Sequence, residues 1–259
     1  MSDDRILREK EFHDKRFGNG NGRREPARKY YSVLSKAGAH YRSIALDACP
    51  GAHLLEYGCG FGAQSVHWLK AGARVTGIDI SSEAIERARR DIKTTPYADR
   101  AEYYEMNAEA MTFDDDSFDI VLGSGIIHHL DLDACYSEIA RVLKPGGLAL
   151  FMEPLGHSPI INLYRNLTPS MRTEDEHPLM EADIELARKY FGDVEFTSYN
   201  MSTLLAVPFR KTPLFKPLFD SLHQLDQSLF SLPFMKKQAW SMVLEMRQPR
   251  EAAGVQKVA

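Results

Sequence analysis

Two textures of apolar and polar positions divide the chain near residue 50. From residue 5 to residue 48 the spacing is helical, broken by Gly18, Asn19, Gly20, Asn21 and Gly22, which predicts a short leading helix and a second one around Ala27 to Ala48. From His53 onward short apolar runs alternate with amphipathic stretches: HLLEY, SVHWLKAG, RVTGIDI, SEAIERARRDIK, AEYYEM, FDIVLGS, ACYSEIARVLK and GLALFMEP. Strands alternating with helices at this spacing predict βαβ units and a mostly parallel sheet. Ser81 and Ser82 are N-cap candidates ahead of SEAIERARR, and Pro145, Gly146 and Gly147 are expected to stop the helix after RVLK and turn the chain into the next strand.

The last third is less regular. A long connection from Leu155 to Leu179 leads into a predicted helix, MEADIELARKYF, closed by Gly192, then a strand, DVEFTSY, and a final strand, AWSMVLEMR. Between those strands lies an insertion, Thr203 to Lys237. Its Leu218, Leu222, Leu225, Leu229 and Leu232 fall at helical spacings and predict an amphipathic helix with a leucine seam.

Composition adds bounds. The 259 residues are 44% hydrophobic and 26% charged, enough for a full core in one large domain or two small ones. Against 36 acidic residues stand 32 basic ones, and the net charge of −4 argues against general nucleic-acid affinity. Cys49, Cys59 and Cys135 are far apart, without metal-ligand or disulfide spacing, so no metal is expected. The charged opening, MSDDRILREKEFHDKRF, and the lack of an 18-residue apolar run predict a cytoplasmic protein without stable membrane insertion.

The most informative string is Leu54-Leu55-Glu56-Tyr57-Gly58-Cys59-Gly60-Phe61-Gly62, a strand entering a glycine turn before a helix. Glycines there permit positive φ and close approach of a ligand, and the helix N-terminus offers free N–H groups. The bland alternative is a tight turn with no ligand. Asp79 ends the next strand about 20 residues on, where a carboxylate can accept both hydroxyls of a ribose. Together they point to an adenosine-type ligand. Gly58, Gly60 and Ala63 also satisfy a dinucleotide pattern, which keeps NAD open. Against NAD stands Glu56, whose charge is unfavourable beside a pyrophosphate and useful near an ammonium group.

These strings, with VTGIDIS, SFDIVLGSGIIHHL and LKPGGLALFMEP, resemble the successive motifs of class I S-adenosylmethionine-dependent methyltransferases of the small-molecule type. The resemblance covers about residues 50 to 155, and more weakly residues 175 to 200 and the final strand. It implies that S-adenosylmethionine is the cofactor. Glu56, Gly58 and Gly60 would line its methionine part, Asp79 would hold the ribose and Ile80 would pack on the adenine. Asn107 and Ala108 stand where the family usually has Asp-Ala beside the adenine amino group, and Ser124 would lie near the methionine carboxylate and sulfonium. The Asn carbonyl can still accept the amino N–H.

Methyl transfer from a sulfonium depends on alignment and a dry pocket, with a base needed only where the acceptor must lose a proton. His128 and His129 follow the fourth strand at its carboxyl end and are candidates for that base or for a substrate anchor, against the plainer reading of local structure. Glu153 and His157 form a second candidate pair on the same edge. Tyr30, Tyr31 and Tyr41 are candidates to close over the cofactor, with Phe12, His13 and Phe17 as further lid residues, although tyrosines at such spacing are more often packing residues.

The expected fold is α/β: a Rossmann-like, mostly parallel seven-stranded sheet with helices on both faces, N-terminal helices, and a helical insertion before the last strand. Residues 1–50 are read as a helical lid and 51–259 as the catalytic domain, with substrate-cover segments at 155–180 and 203–237. The second segment holds eight Leu and five Phe with five basic and two acidic residues. It reads as an apolar cover in preference to a surface making transient contact with a membrane. Arg165, Arg172, Arg210 and Lys211 are candidates for an acidic substrate group, against ordinary solvated arginines. The expected activity is methylation of a small, largely apolar metabolite, with a hydroxyl oxygen favoured over nitrogen or carbon. The rivals are an NAD-dependent oxidoreductase and a non-catalytic protein that keeps the cofactor-binding fold.

Overall fold

The computed structural model of the chain describes residues 3–18, 30–159, 161–163 and 177–250. Helix α1 (Asp3–Gly18) comes first, then a 3-10 turn (Tyr30–Val33) and α2 (Ser35–Ala48). The second helix thus starts later than Ala27. Its inward stripe, Ala37, Gly38, Tyr41 and Ala45, begins only there, while Val33 drops into a separate apolar cluster.

The alternating pattern folds as β1 (His53–Tyr57), α3 (Ser65–Lys70), β2 (Arg74–Asp79), α4 (Ser82–Ile92), β3 (Ala101–Glu105), β4 (Phe118–Ser124), α5 (Leu132–Val142), β5 (Leu143–Pro154), α6 (Glu181–Tyr190), β6 (Phe191–Tyr199) and β7 (Ser241–Pro249). These seven strands form one sheet in the order β3-β2-β1-β4-β5-β7-β6. The first five pair in parallel, and β7 runs antiparallel to both β5 and β6. The strands alternate between two covered faces. Leu55, Tyr57, Val121 and Phe151 pack under α5 and α6, while Leu54, Val75, Leu122 and Leu150 pack under α2, α3 and α4.

Ser81 caps α4, its hydroxyl accepting from the Ala84 amide at 3.2 Å. Two expected stops behave differently. Gly192 does not close α6, which ends at Tyr190; it lies in β6, where a Cβ would meet Gln248 Oε1 at 2.7 Å, so close strand approach explains the glycine. Pro145, Gly146 and Gly147 fall inside β5, absorbed by a register shift against β4 between Phe118 and Ile120.

The insertion leaves the sheet at Tyr199 and returns at Ser241, which pair with each other beside Pro154, the carboxyl end of β5. It holds a 3-10 helix (Ser202–Phe209), α7 (Phe215–Leu229) and a short turn (Pro233–Lys236). The inward side of α7 uses only part of the leucine seam, since Leu218 and Leu222 pack against the cluster of Val33, Ala206, Val207 and Phe219. Phe219 and Asp226 are buried, whereas Leu225 is exposed. The Asp226 carboxylate accepts from the Met201, Ser202 and Thr203 amides, capping the preceding helix and fixing the rotation of α7.

Candidate active site

The site begins at the carboxyl end of β1. Gly58, Gly60 and Gly62 have φ of 74°, 52° and 72°, in the left-handed region that favours glycine. At Gly58 the requirement is also steric, because a Cβ would sit 2.9 Å from Ile126 Cγ1. The amides of Gly58 and Cys59 both donate to the Ile78 carbonyl, at 2.9 and 2.8 Å, which ties the turn to β2.

Asp79 stands at the end of β2 with its carboxylate held at both oxygens. The Gly60 amide donates to Oδ2 at 2.8 Å and the Ser81 amide to Oδ1 at 2.9 Å. The two amides fix the orientation of the carboxylate at the cavity wall. Glu56 is buried below the turn, accepting from the Ser65 hydroxyl. Burial pushes its carboxyl up to about 7, the Asp79 charge adding to the shift and the Ser65 bond opposing it.

The Tyr57 hydroxyl donates to the Ala108 carbonyl at 2.6 Å and the Met106 amide to the Asp79 carbonyl at 3.0 Å, so strands β1 and β2 position the 106–108 loop. Asn107 Oδ1 accepts from the Glu109 amide at 3.0 Å, a local turn that uses one of its lone pairs. A single cavity is lined by Gly58, Gly60, Asp79, Ile80, Asn107, Ala108 and Ser124 from the sheet edge. His129 stands in the same wall. Helix α1 closes the cavity with Arg5, Ile6, Glu9 and His13.

The paired histidines separate. His128 is buried with Nδ1 2.6 Å from Glu153 Oε2, while Glu153 Oε1 accepts from the Ile126 and Ile127 amides at 3.0 and 3.2 Å. His129 faces the cavity, its ring 4.1 Å from that of His128. Above it, the buried Glu9 carboxylate lies 3.9 Å from His129 Nδ1 and 3.5 Å from His13 Nε2.

A known family described as a methyltransferase domain matches residues 55–151. Residues 55–151 carry that methyltransferase domain. A sterol 24-C-methyltransferase of Gibberella zeae is 35% identical over 111 residues, 42% of this chain and 29% of that protein. A ubiquinone biosynthesis O-methyltransferase of Chelativorans sp. is 32% identical over 138 residues, 50% of this chain and 54% of that one. The chain therefore spans about a third to about a half of these curated relatives. In fold, the methyltransferase domain and its helices resemble the geranyl diphosphate C-methyltransferase of Streptomyces coelicolor, with a TM-score of 0.58 at 15% identity over 82% of this chain and 78% of that chain. The phosphoethanolamine N-methyltransferase 2 of Haemonchus contortus gives a TM-score of 0.56 at 23% identity over 78% of this chain and 49% of that chain.

The methyltransferase domain thus gathers Gly58, Gly60, Asp79, Ile80, Asn107, Ala108, Ser124 and His129 around one cavity, with Glu56, His128 and Glu153 buried behind its edge. The Glu153–His157 pair does not form. His157 Nε2 instead accepts from the Glu181 amide at 2.9 Å and caps α6, while Glu153 is held by His128 and two amides. Tyr41 is buried against Trp68 and does not reach the cavity. Tyr30 and Tyr31 lie in the 3-10 turn, and their side chains, like that of Phe17, lie outside the described residues, as do Arg165 and Arg172. Arg210 donates to the Val207 carbonyl of its own turn. Arg5 and Glu9 were not singled out by sequence pattern. A charged residue on a short polar helix reads as solvated until the fold brings that helix over the glycine turn.

Proposed function

We propose that the domain transfers the methyl group of S-adenosylmethionine to a small, largely apolar metabolite, at a hydroxyl oxygen. One observation carries the reading: the glycine turn, the anchored Asp79, the Asn107–Ala108 loop and the His129 imidazole share one cavity. The relatives are named as C-, O- and N-methyltransferases, and the two solved structures hold S-adenosylhomocysteine. The residues fit such a group. Gly58 and Gly60 line the cavity with bare backbone at positive φ, Asp79 presents a carboxylate to it for ribose hydroxyls, and the buried Glu56 suits an ammonium group better than a pyrophosphate. That last point supports S-adenosylmethionine over NAD.

When bound, the cofactor supplies an electrophilic methyl on a sulfonium. The chain's part is to align the acceptor, exclude water and receive a proton. Helix α1 covers the cavity, and side chains on its rim hold it: Arg5 with the His129 carbonyl and Glu109, Lys10 with Glu105, and Asp14 with the Ser81 hydroxyl. In this reading His129, which lines the cavity, takes the acceptor hydroxyl proton on a ring nitrogen. Glu9 then stands beside the imidazolium formed, while Glu153 holds His128, and so the turn that carries His129, in place. Residues 1–50 act as the lid in this reading.

Calorimetry with S-adenosylhomocysteine and NADH, followed by mass spectrometry of phenols, hydroxylated isoprenoids and amines incubated with S-adenosylmethionine, tests it. Tight binding of the first ligand and a mass gain of one methyl on a hydroxylated acceptor are expected. Binding of NADH alone would assign the fold to redox chemistry. Normal cofactor binding with no methylated product across the panel, and no effect of replacing His129, would leave a non-catalytic protein.

A further inference from the structure

None of the residues 203–237 lines the cavity described above, so the insertion's apolar content calls for another account. Its inner side is satisfied: Ala206, Val207 and Phe219 pack with Val33, and Leu204, Phe215, Leu218, Leu222 and Trp240 surround them. Its outer side is not. Leu205 is 66% exposed, Phe209 38% and Leu214 53%, and Pro208, Pro213 and Pro217 are exposed beside them.

These residues form one knuckle rather than a scatter. The Arg210 amide donates to the Val207 carbonyl, Thr212 to Phe209, Phe215 to Thr212 and Leu218 to Leu214, so the chain folds back in consecutive tight turns between the 3-10 helix and α7. Its charge has one sign. From Thr203 to Phe219 there are three cations, Arg210, Lys211 and Lys216, and no Asp or Glu. The first acid is Asp220, which pairs with Lys216 and Lys36 at the base of the knuckle, away from Lys211.

Exposed Leu and Phe interleaved with prolines and cations, in a chain of net charge −4, match an interface of headgroups and acyl chains. Apolar side chains enter the boundary and the cations meet anionic headgroups. A protein partner would more often meet an aromatic and arginine-rich core with few lysines. No helix of the described residues is long and apolar enough to cross a membrane, so contact would be peripheral.

We propose that the knuckle at residues 205–217 docks the protein on an anionic lipid surface. The insertion that carries it leaves and rejoins the sheet at the carboxyl end of β5, the edge of the sheet that lines the cavity, and so would bring the site to acceptors dissolved in the bilayer. That route for the acceptor rests on the methyl-transfer reading, whereas the docking itself does not.

Flotation of the full chain with vesicles of phosphatidylcholine alone, or with 30% phosphatidylglycerol, tests the docking. The protein is expected to float with the anionic vesicles, to be released by about 0.5 M salt through screening, and to lose at least about 10-fold in partitioning in L205Q/F209S/L214Q and in K211E. L46Q, which removes an exposed leucine from α2, is expected to behave as wild type. Thermal melting and S-adenosylhomocysteine binding of each variant separate misfolding, or failure of the methyltransferase reading, from loss of docking. No flotation with either vesicle, or equal flotation of the triple variant, overturns the proposal. So does a dimer, seen by sedimentation, that the triple variant alone abolishes without any lipid binding.

Discussion

The acid at Glu56 is the residue whose protonation the fold changes most plainly. Its carboxyl is raised from the ordinary 4.5 to about 7, chiefly by burial. The folded chain therefore holds this proton more tightly than the unfolded chain, and its contribution to stability is complete below about 4.5 and lost as pH rises through about 7. Glu56→Gln should flatten that decline and stabilise the unliganded protein at pH 8 by up to the order of 3 kcal/mol. Urea unfolding at pH 5.5 and 8 checks it, and equal pH dependence in both proteins would refute it. An ammonium group bound nearby favours the carboxylate, so cofactor binding near pH 6.5 should release a proton. Calorimetry in buffers of different ionisation enthalpy reads that release, which Glu56→Gln should abolish. Asp79→Ala should weaken S-adenosylhomocysteine by about 1.5 to 3 kcal/mol, since it removes charged acceptors from buried donors. Unchanged affinity would remove Asp79 from the ribose site. His129→Ala should lower the methylation rate about 100-fold with cofactor affinity intact. A full rate would mean that alignment alone carries the step.

Among elements, α7 shows most clearly where local pattern stops deciding structure. The leucine spacing located the helix and the inward side of its first turns, at Leu218 and Leu222, but not at Leu225, because a buried carboxylate with three amide donors outweighs the burial of one more leucine. Asp226→Ala should therefore cost about 2 to 3 kcal/mol, and Asp226→Leu should not restore it, although leucine suits an apolar stripe. Guanidinium unfolding measures both, and a stabilised leucine variant would disprove the capping role. The parallel strands were legible because burial on both faces leaves nearly continuous apolar runs with helices between them. The glycine turn was legible because positive φ restricts those positions to few residue types, and Asp79 because it ends the next parallel strand beside that turn. Gly192 and Pro145–Gly147 were misread because the same residues serve helix ends and strand irregularities, and only pairing with Gln248 or β4 distinguishes them. The partner of His157, the Glu181 amide, is likewise set by the path of a loop, which no local pattern discloses.

At the scale of the whole molecule, the cavity is a joint product of the sheet edge and α1, which are distant in sequence. Arg5 is the cross-brace, donating to the His129 carbonyl at 2.7 Å and pairing with Glu109, whose carboxylate also receives the Asp131 amide at 2.7 Å. One side chain thus links α1, the loop after β3 and the turn carrying His129. If the lid closes on the cofactor, binding energy and lid order must be coupled, and the coupling must act in both directions. S-adenosylhomocysteine should then slow amide hydrogen exchange in α1 as well as in the glycine turn. Arg5→Ala leaves every cavity-lining group of the sheet edge in place, yet it should weaken the cofactor about 5- to 20-fold by raising the population of the open lid. The same variant should exchange faster in α1 without ligand, with exchange in β1 and β4 unchanged. Loss of affinity without any change in α1 exchange would mean that Arg5 touches the ligand directly. Unchanged affinity with faster exchange would mean that α1 covers the site without being coupled to it.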